Sequence, residues 1–497
     1  MSDISSPRCA ISTDAPGGFP ITDSSQCQPA KAHGRLLKRD LMPRRASKYR
    51  SVRLEHPERG ALDHPLRREP PFVLAHNRLR ICAQSTSIGS RRAIRMHEPQ
   101  QLKATAMPIP RLKNYRGPAL FSYGFRPFFF FGSAYGGAII LVWLPAFYGY
   151  LSLSTTLAPR DWHVHEMLFG YVAAVVAGFL LTAVPNWTGR LPLQGKPLMV
   201  LFAIWAAGRL AVSASAWIGW AAAAAIDCGF LFLLAAAAAR EIIAGRKWNN
   251  LQVVAIVSLL SLANLGFHLE AHFSGVAEYA TRTGIAVVIT LIALIGGRII
   301  PSFTRNWLAK RAPGRLPSPF GRFDIVTVAW SAIALALWIA RPIDRMTGGL
   351  LLICGALHVI RLVRWTGYRT FADRLVLILH IAYAFVPLGF ILTALSAFDL
   401  AAPSAGIHAW TGGAIGTMTL AVMSRATLGH TGRPLEASVA THIVYAAVII
   451  AALARVCAAL EPDHAGPLLS IAGVAWASAF VGFAAAYTTA LWSQRRL

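Results

Sequence analysis

From Phe128 to near its C-terminus the chain is a series of apolar stretches separated by short basic loops. A helix needs about 20 apolar residues to cross a hydrocarbon core of about 30 Å. Twelve stretches meet that length, at about 128–150, 164–185, 197–214, 216–239, 250–272, 283–303, 324–340, 347–363, 375–398, 405–424, 437–459 and 467–492. The fold they predict is all-α, a polytopic integral membrane protein of about twelve transmembrane helices. With 55% hydrophobic and only 14% charged residues, a water-soluble globule is excluded, since such domains are about a quarter charged.

The charges between the stretches give the orientation, because cytoplasmic loops carry the excess of Lys and Arg. One side collects 22 of them, including Arg190 and Lys196, the run from Arg305 to Arg322, and Arg361, Arg364, Arg369 and Arg374. The other side has five, Arg160, Arg282, Arg341, Arg345 and Arg455. Both termini are therefore expected to be cytoplasmic.

Part of the net charge of +26 belongs elsewhere, for residues 1–110 hold 19 Lys and Arg against 9 Asp and Glu. That segment is rich in Pro and Ser and has no sustained periodicity, so it reads as a disordered basic extension. Clustered Arg91, Arg92 and Arg95 suit anionic lipid or nucleic acid, while an over-extended gene start, with translation beginning at Met96 or Met107, explains the segment at least as well. Residues 111–497 form the expected membrane domain. Cys9, Cys27, Cys82, Cys228, Cys354 and Cys457 make no CxxC pair, which argues against a disulfide or thiolate site. Walker and dinucleotide fingerprints and nucleic-acid-binding modules are absent from the sequence.

Ionisable groups beside or within membrane segments are costly and face a bundle interior, a partner or a metal. Here they gather as histidines. His163 and His165, with Glu166, open the second stretch, His268 and His272 close the fifth, and His408 opens the tenth, all toward the outer face. His358, His380, His430 and His442 lie toward the inner face. Two sets at two depths suit two metal centres, or one centre and a proton path.

In His268-Leu269-Glu270-Ala271-His272 the i, i+4 spacing places both rings on one helix face. A zincin needs Glu directly after the first His, and Leu269 stands there instead. The i, i+2 spacing of His163 and His165 sends their rings to nearly opposite sides of a helix, so one suits a ligand and the other a supporting partner. For His272, His442 and His464 an interfacial hydrogen bond is explanation enough. Arg209 and Asp227 read as a structural ion pair within the membrane. Arg298 and Arg425, near inner helix ends, either snorkel to headgroups or clamp a haem propionate. The aromatic block Phe128–Phe131 reads as an interface belt.

Several motifs together resemble the NnrS family of bacterial haem- and copper-containing membrane proteins linked to nitric oxide. They are Phe125-Arg126-Pro127-Phe128-Phe129, Trp162-His163-Val164-His165-Glu166-Met167 with Gly170, and Ala183-Val184-Pro185-Asn186-Trp187-Thr188-Gly189-Arg190. Gly297-Arg298-Ile299-Ile300-Pro301-Ser302-Phe303-Thr304, Leu379-His380-Ile381-Ala382-Tyr383 with Pro387-Leu388-Gly389, His408 leading to Gly413-Ala414-Ile415-Gly416, and Ala421-Val422-Met423-Ser424-Arg425 running on to Gly429-His430-Thr431-Gly432-Arg433 complete the set. The resemblance covers about residues 115–492. It implies a twelve-helix bacterial inner-membrane protein that binds haem b and copper and serves the response to nitric oxide, in nitrosative stress or denitrification. His163, His165, His268, His380, His408 and His430 form the expected ligand pool, with Glu166 as a supporting or proton-carrying group and Arg298 and Arg425 as cofactor contacts.

Three function classes fit these features. The protein is an enzyme or electron-transfer module acting on nitric oxide, a haem and copper protein that senses or sequesters it or protects other metal centres, or a polytopic transporter using intramembrane His, Arg and Asp groups. The excess of histidines near helix ends weighs against the transporter.

Overall fold

The computed structural model describes residues 115–495 except residue 312. The basic extension and its three cysteines lie outside the described residues. Every regular element described is helical, as a chain must be that satisfies its backbone polar groups in hydrocarbon without closing a barrel. In order come α1 (Phe125–Phe147), α2 (Pro159–Thr188), α3 (Lys196–Ser213), α4 (Trp220–Ala244), α5 (Leu251–Ser274) and α6 (Tyr279–Leu308). Then follow α7 (Arg322–Ala340), α8 (Arg345–Val363), α9 (Arg374–Ala397), α10 (residues 403–430), α11 (Val439–Leu460) and α12 (Ala465–Trp492).

Among the described residues, eleven helices are long and apolar enough to cross a membrane. The chain is thus an all-α, multi-pass membrane protein. The tenth expected stretch is α10, which is not one of the eleven. It runs as Pro403–His408, Ala409–Gly416 and Thr417–His430, and its glycines and threonines dilute the apolar content.

Local chemistry sets the ends. Asp344, Asp373 and Ser438 accept from backbone N–H groups in the first turns of α8, α9 and α11. Pro159 and Pro403 begin α2 and α10, where a missing N–H costs nothing. Gly189 and Gly432 end them with φ of 74° and 72°, a left-handed turn that favours glycine.

Burial separates interior from lipid-facing helices. The most apolar windows of α2, α9 and α6 are 83%, 72% and 67% buried, against 33% for α7. Around them α12 packs on α1 and α11, and α3 on α4. Phe128 and Phe129 correct the interface-belt reading, for both are fully buried and Phe128 meets Phe202, Trp205 and Phe230 edge-on or tilted. Arg361 likewise is no loop charge. It is fully buried, donates to Asp324 at 2.7 Å and to the Tyr383 hydroxyl at 2.7 Å, and ties α7, α8 and α9 together.

Two interior helices depart from α geometry. Glu166–Val172 in α2 and Ala409–Gly416 in α10 are π-helical. Each is placed directly after a histidine. A π segment inserts a residue into the helix and is characteristic of functional sites. The carbonyl of Gly170, inside the first, accepts from Trp205 Nε1 at 3.0 Å.

Close approach of α9 and α10 depends on glycine. A Cβ at Gly406 would fall 2.6 Å from the Thr393 backbone nitrogen, whereas one at Gly349 on α8 would meet nothing within 4 Å. G406A is therefore expected to destabilise the bundle by about 1–3 kcal/mol through overpacking. G349A should leave the thermal unfolding midpoint in detergent unchanged or slightly raised; equal midpoints for the two variants would contradict this packing.

Candidate metal centre

At the end of the bundle where α2 begins and α5 ends, α1 to α5 enclose a polar cluster with almost no solvent exposure. His165 and Glu166 are 0% exposed, Asn264 0%, Asp227 1%, and Arg209 and His268 5%. The chain places them there by helical phase. His165 leaves α2 just before the π segment, Glu166 begins that segment, and Asn264 and His268 stand one turn apart on α5.

Glu166 is held by three donors. Its Oε2 accepts from Arg209 Nη1 at 2.7 Å and from the Tyr135 hydroxyl, and its Oε1 faces His165 Nδ1 at 3.1 Å. Asp227 accepts from Asn264 Nδ2 at 2.7 Å, faces His268 Nε2 at 3.1 Å, and pairs with Arg209. The other nitrogen of His165, Nε2, stands 3.1 Å from Asn264 Oδ1 and 3.2 Å from Asp227 Oδ2.

Two consequences follow from counting. A neutral imidazole has one N–H, yet both nitrogens of His165 face oxygen acceptors. With Nδ1–H donated to Glu166, Nε2 turns a lone pair toward two oxygens, an arrangement that calls for a cation between them. The charges agree, since two carboxylates face one guanidinium and leave one negative charge uncompensated in a dry interior, where unpaired charge is costly. A cation bound at Nε2 removes both difficulties, as a second proton on His165 would.

His165, Asp227 and His268 supply such a site. Their ligand atoms all lie within 4.8 Å of one another, the one such group of three among the described residues. Metal–nitrogen bonds of about 2.0–2.1 Å would require only small side-chain adjustments to close on one ion. Glu166 would orient His165 from behind, as carboxylates do for metal-bound imidazoles. Phe169 and Phe267 pack on the His165 ring at 5.5 and 5.3 Å between centroids and keep water out.

The other expected ligands stand elsewhere. His163 parts from His165, as i, i+2 spacing requires, stacks on Trp143 with centroids 4.2 Å apart, and lines a separate cavity together with His408. His380 meets Thr304 at 2.9 Å from Nε2, and its Nδ1 is buried without a partner. His430 packs beside Tyr123 and Phe125. The structure joins neither to the cluster. Arg298 lies over Phe320, and Arg425 over Phe303. His272 stacks on Trp220 at 4.1 Å and His442 Nδ1 bonds the Ser438 carbonyl, both ordinary structural roles.

The sequence reading placed Asp227 only as the ion-pair partner of Arg209, a pair the structure shows, and passed over Asn264. Asp227 was legible as an intramembrane acid, but its convergence with His165 and His268 depends on the phases of three helices. If Glu166 orients the metal-binding imidazole, E166Q should lower metal affinity about 10–100-fold while the protein still inserts. A competition titration with a chelator reads this, and unchanged affinity would remove Glu166 from that role.

A match to the NnrS protein family spans residues 119–495. No curated protein matches the chain. The family match takes in every helix described above, from α1 to α12, and the whole of the buried cluster. The chain belongs to the NnrS family.

Proposed function

We propose that the chain is a haem- and copper-binding protein of the bacterial inner membrane that acts in the response to nitric oxide, in nitrosative stress or denitrification. The observation that carries the metal part is the net negative, desolvated cluster of His165, Asp227 and His268. Family membership carries the link to nitric oxide.

Two imidazoles and a carboxylate suit copper near the upper end of the divalent affinity order. Copper there would supply a one-electron couple and a position for nitric oxide. The chain's own residues do the rest. Glu166 holds the His165 tautomer, Arg209 fixes both carboxylates, Asn264 steers Asp227 and His165, and the phenyl walls exclude water.

The test is iron and copper quantification on the full chain purified in detergent from haem- and copper-sufficient cells, with spectra of oxidised, reduced and nitric-oxide-treated samples. D227N and H268A should lose copper at least tenfold relative to the unaltered protein, with insertion retained. A colourless protein without either metal would favour the transporter reading instead.

The matched segment is proposed to carry this function alone. Deleting residues 1–106 should leave metal content and membrane insertion intact, and loss of either would assign the extension a role.

A further inference from the structure

α10 repeats the plan of α2. Each opens on proline, carries a histidine immediately before a π segment, and ends in Thr-Gly-Arg with a left-handed glycine, at Thr188-Gly189-Arg190 and Thr431-Gly432-Arg433. The same number of residues separates the histidine from that ending in both. His408 thus occupies in α10 the position of His165 in α2. The chemistry beside it is reversed, because Ala409 follows His408 where Glu166 follows His165.

His408 faces a cavity of about 600 Å³, a volume typical of cofactor sites. Its walls are mainly apolar and include Trp143, Tyr171 and Trp476. The charges on and beside the lining leave a positive excess. Arg160 pairs with Glu278 and approaches Asp161, Arg282 shares Glu278, and Arg455 has no hydrogen-bonding or acidic partner among the described residues. A cation left so in a largely apolar cavity calls for an anionic group on the occupant.

The histidines call for a metal. His408 Nδ1 donates to the Ser404 carbonyl at 2.8 Å, which fixes the proton there and leaves the Nε2 lone pair without a partner in the protein. His163, from α2, lines the same cavity, and its Nδ1 is buried without a hydrogen-bond partner.

We infer that this cavity binds a planar, apolar, metal-bearing ligand with carboxylate groups, the chemistry of a haem, with His408 Nε2 as the donor to its metal and Arg455 paired to a carboxylate. The inference rests on the haem part of the proposed function and assigns the two cofactors by charge. The net negative cluster takes the bare cation, and the net positive cavity takes the anionic macrocycle. Bound there, haem would supply redox-active iron able to bind nitric oxide, with His408 and His163 the histidines on the cavity wall that could hold it.

The full chain in detergent, titrated with hemin, tests this through its Soret band and through iron and copper content. H408A should lose or shift the Soret band with copper unchanged, and added imidazole should restore the band, which a misfolded protein would not allow. R455Q should raise the hemin dissociation constant about tenfold or more, with R455K intermediate. D227N should lose copper and keep the Soret band. An unchanged spectrum and affinity in H408A, or loss of haem in D227N and not in H408A, would overturn the assignment. An unaltered protein that takes up no hemin would also overturn it and leave copper at the cluster standing. Haem that depends on His408 in a protein without copper would uphold this site and sink the cluster's reading.

Discussion

The guanidinium of Arg209 touches two carboxylates, Glu166 and Asp227, and can neutralise only one. In water the imbalance would be trivial. Among α1 to α5, with every member nearly free of solvent, it governs what else the site must contain. The pairing also fixes geometry, since Arg209 reaches across from α3 to hold α2 and α4 in register, and Glu166 in turn sets which nitrogen of His165 faces inward. The same interaction thus positions the helices and creates the demand for a cation.

Much of the molecule was legible beforehand because the bilayer imposes a simple rule. Apolar length marked the spans, α10 included, although its glycines and threonines make it the least hydropathic. The histidines stood out for a related reason, that imidazoles beside hydrocarbon are few. Their grouping was not. His165 and His268 meet only because Asp227 and Asn264 stand between them, and that depends on rotations of α2, α4 and α5 that no local spacing specifies. Phe128, Phe129 and Arg361 misled in a similar way, for composition cannot tell whether an aromatic or a cation at a helix end faces lipid, headgroup or a neighbouring helix.

The shared Thr-Gly-Arg endings of α2 and α10 are part of a larger correspondence in backbone form. Sequence comparison within the chain was weak because the residues that confer chemistry differ, Glu166 against Ala409, while the elements that confer shape persist. A proline start, a π segment and a glycine stop give two helices of one design on which a cluster and a cavity have been built. His163 and His165 then stand on one turn and face the two sites separately.

The π segment of α2 also makes the helix a device for keeping phase. Its added residue turns everything beyond it by about 100° relative to an uninterrupted α-helix. His165 and Glu166 on one side of the segment, and the faces of Val175 to Val184 that pack the interior on the other, are both in place only with that offset. Removing a single residue between 166 and 172 would restore regular pitch and improve the backbone hydrogen bonding of the helix. The lost residue and the lost offset cancel, so the two halves of α2 would keep their mutual phase, and the stretch that looks least regular is the one where the helix can absorb a change of length.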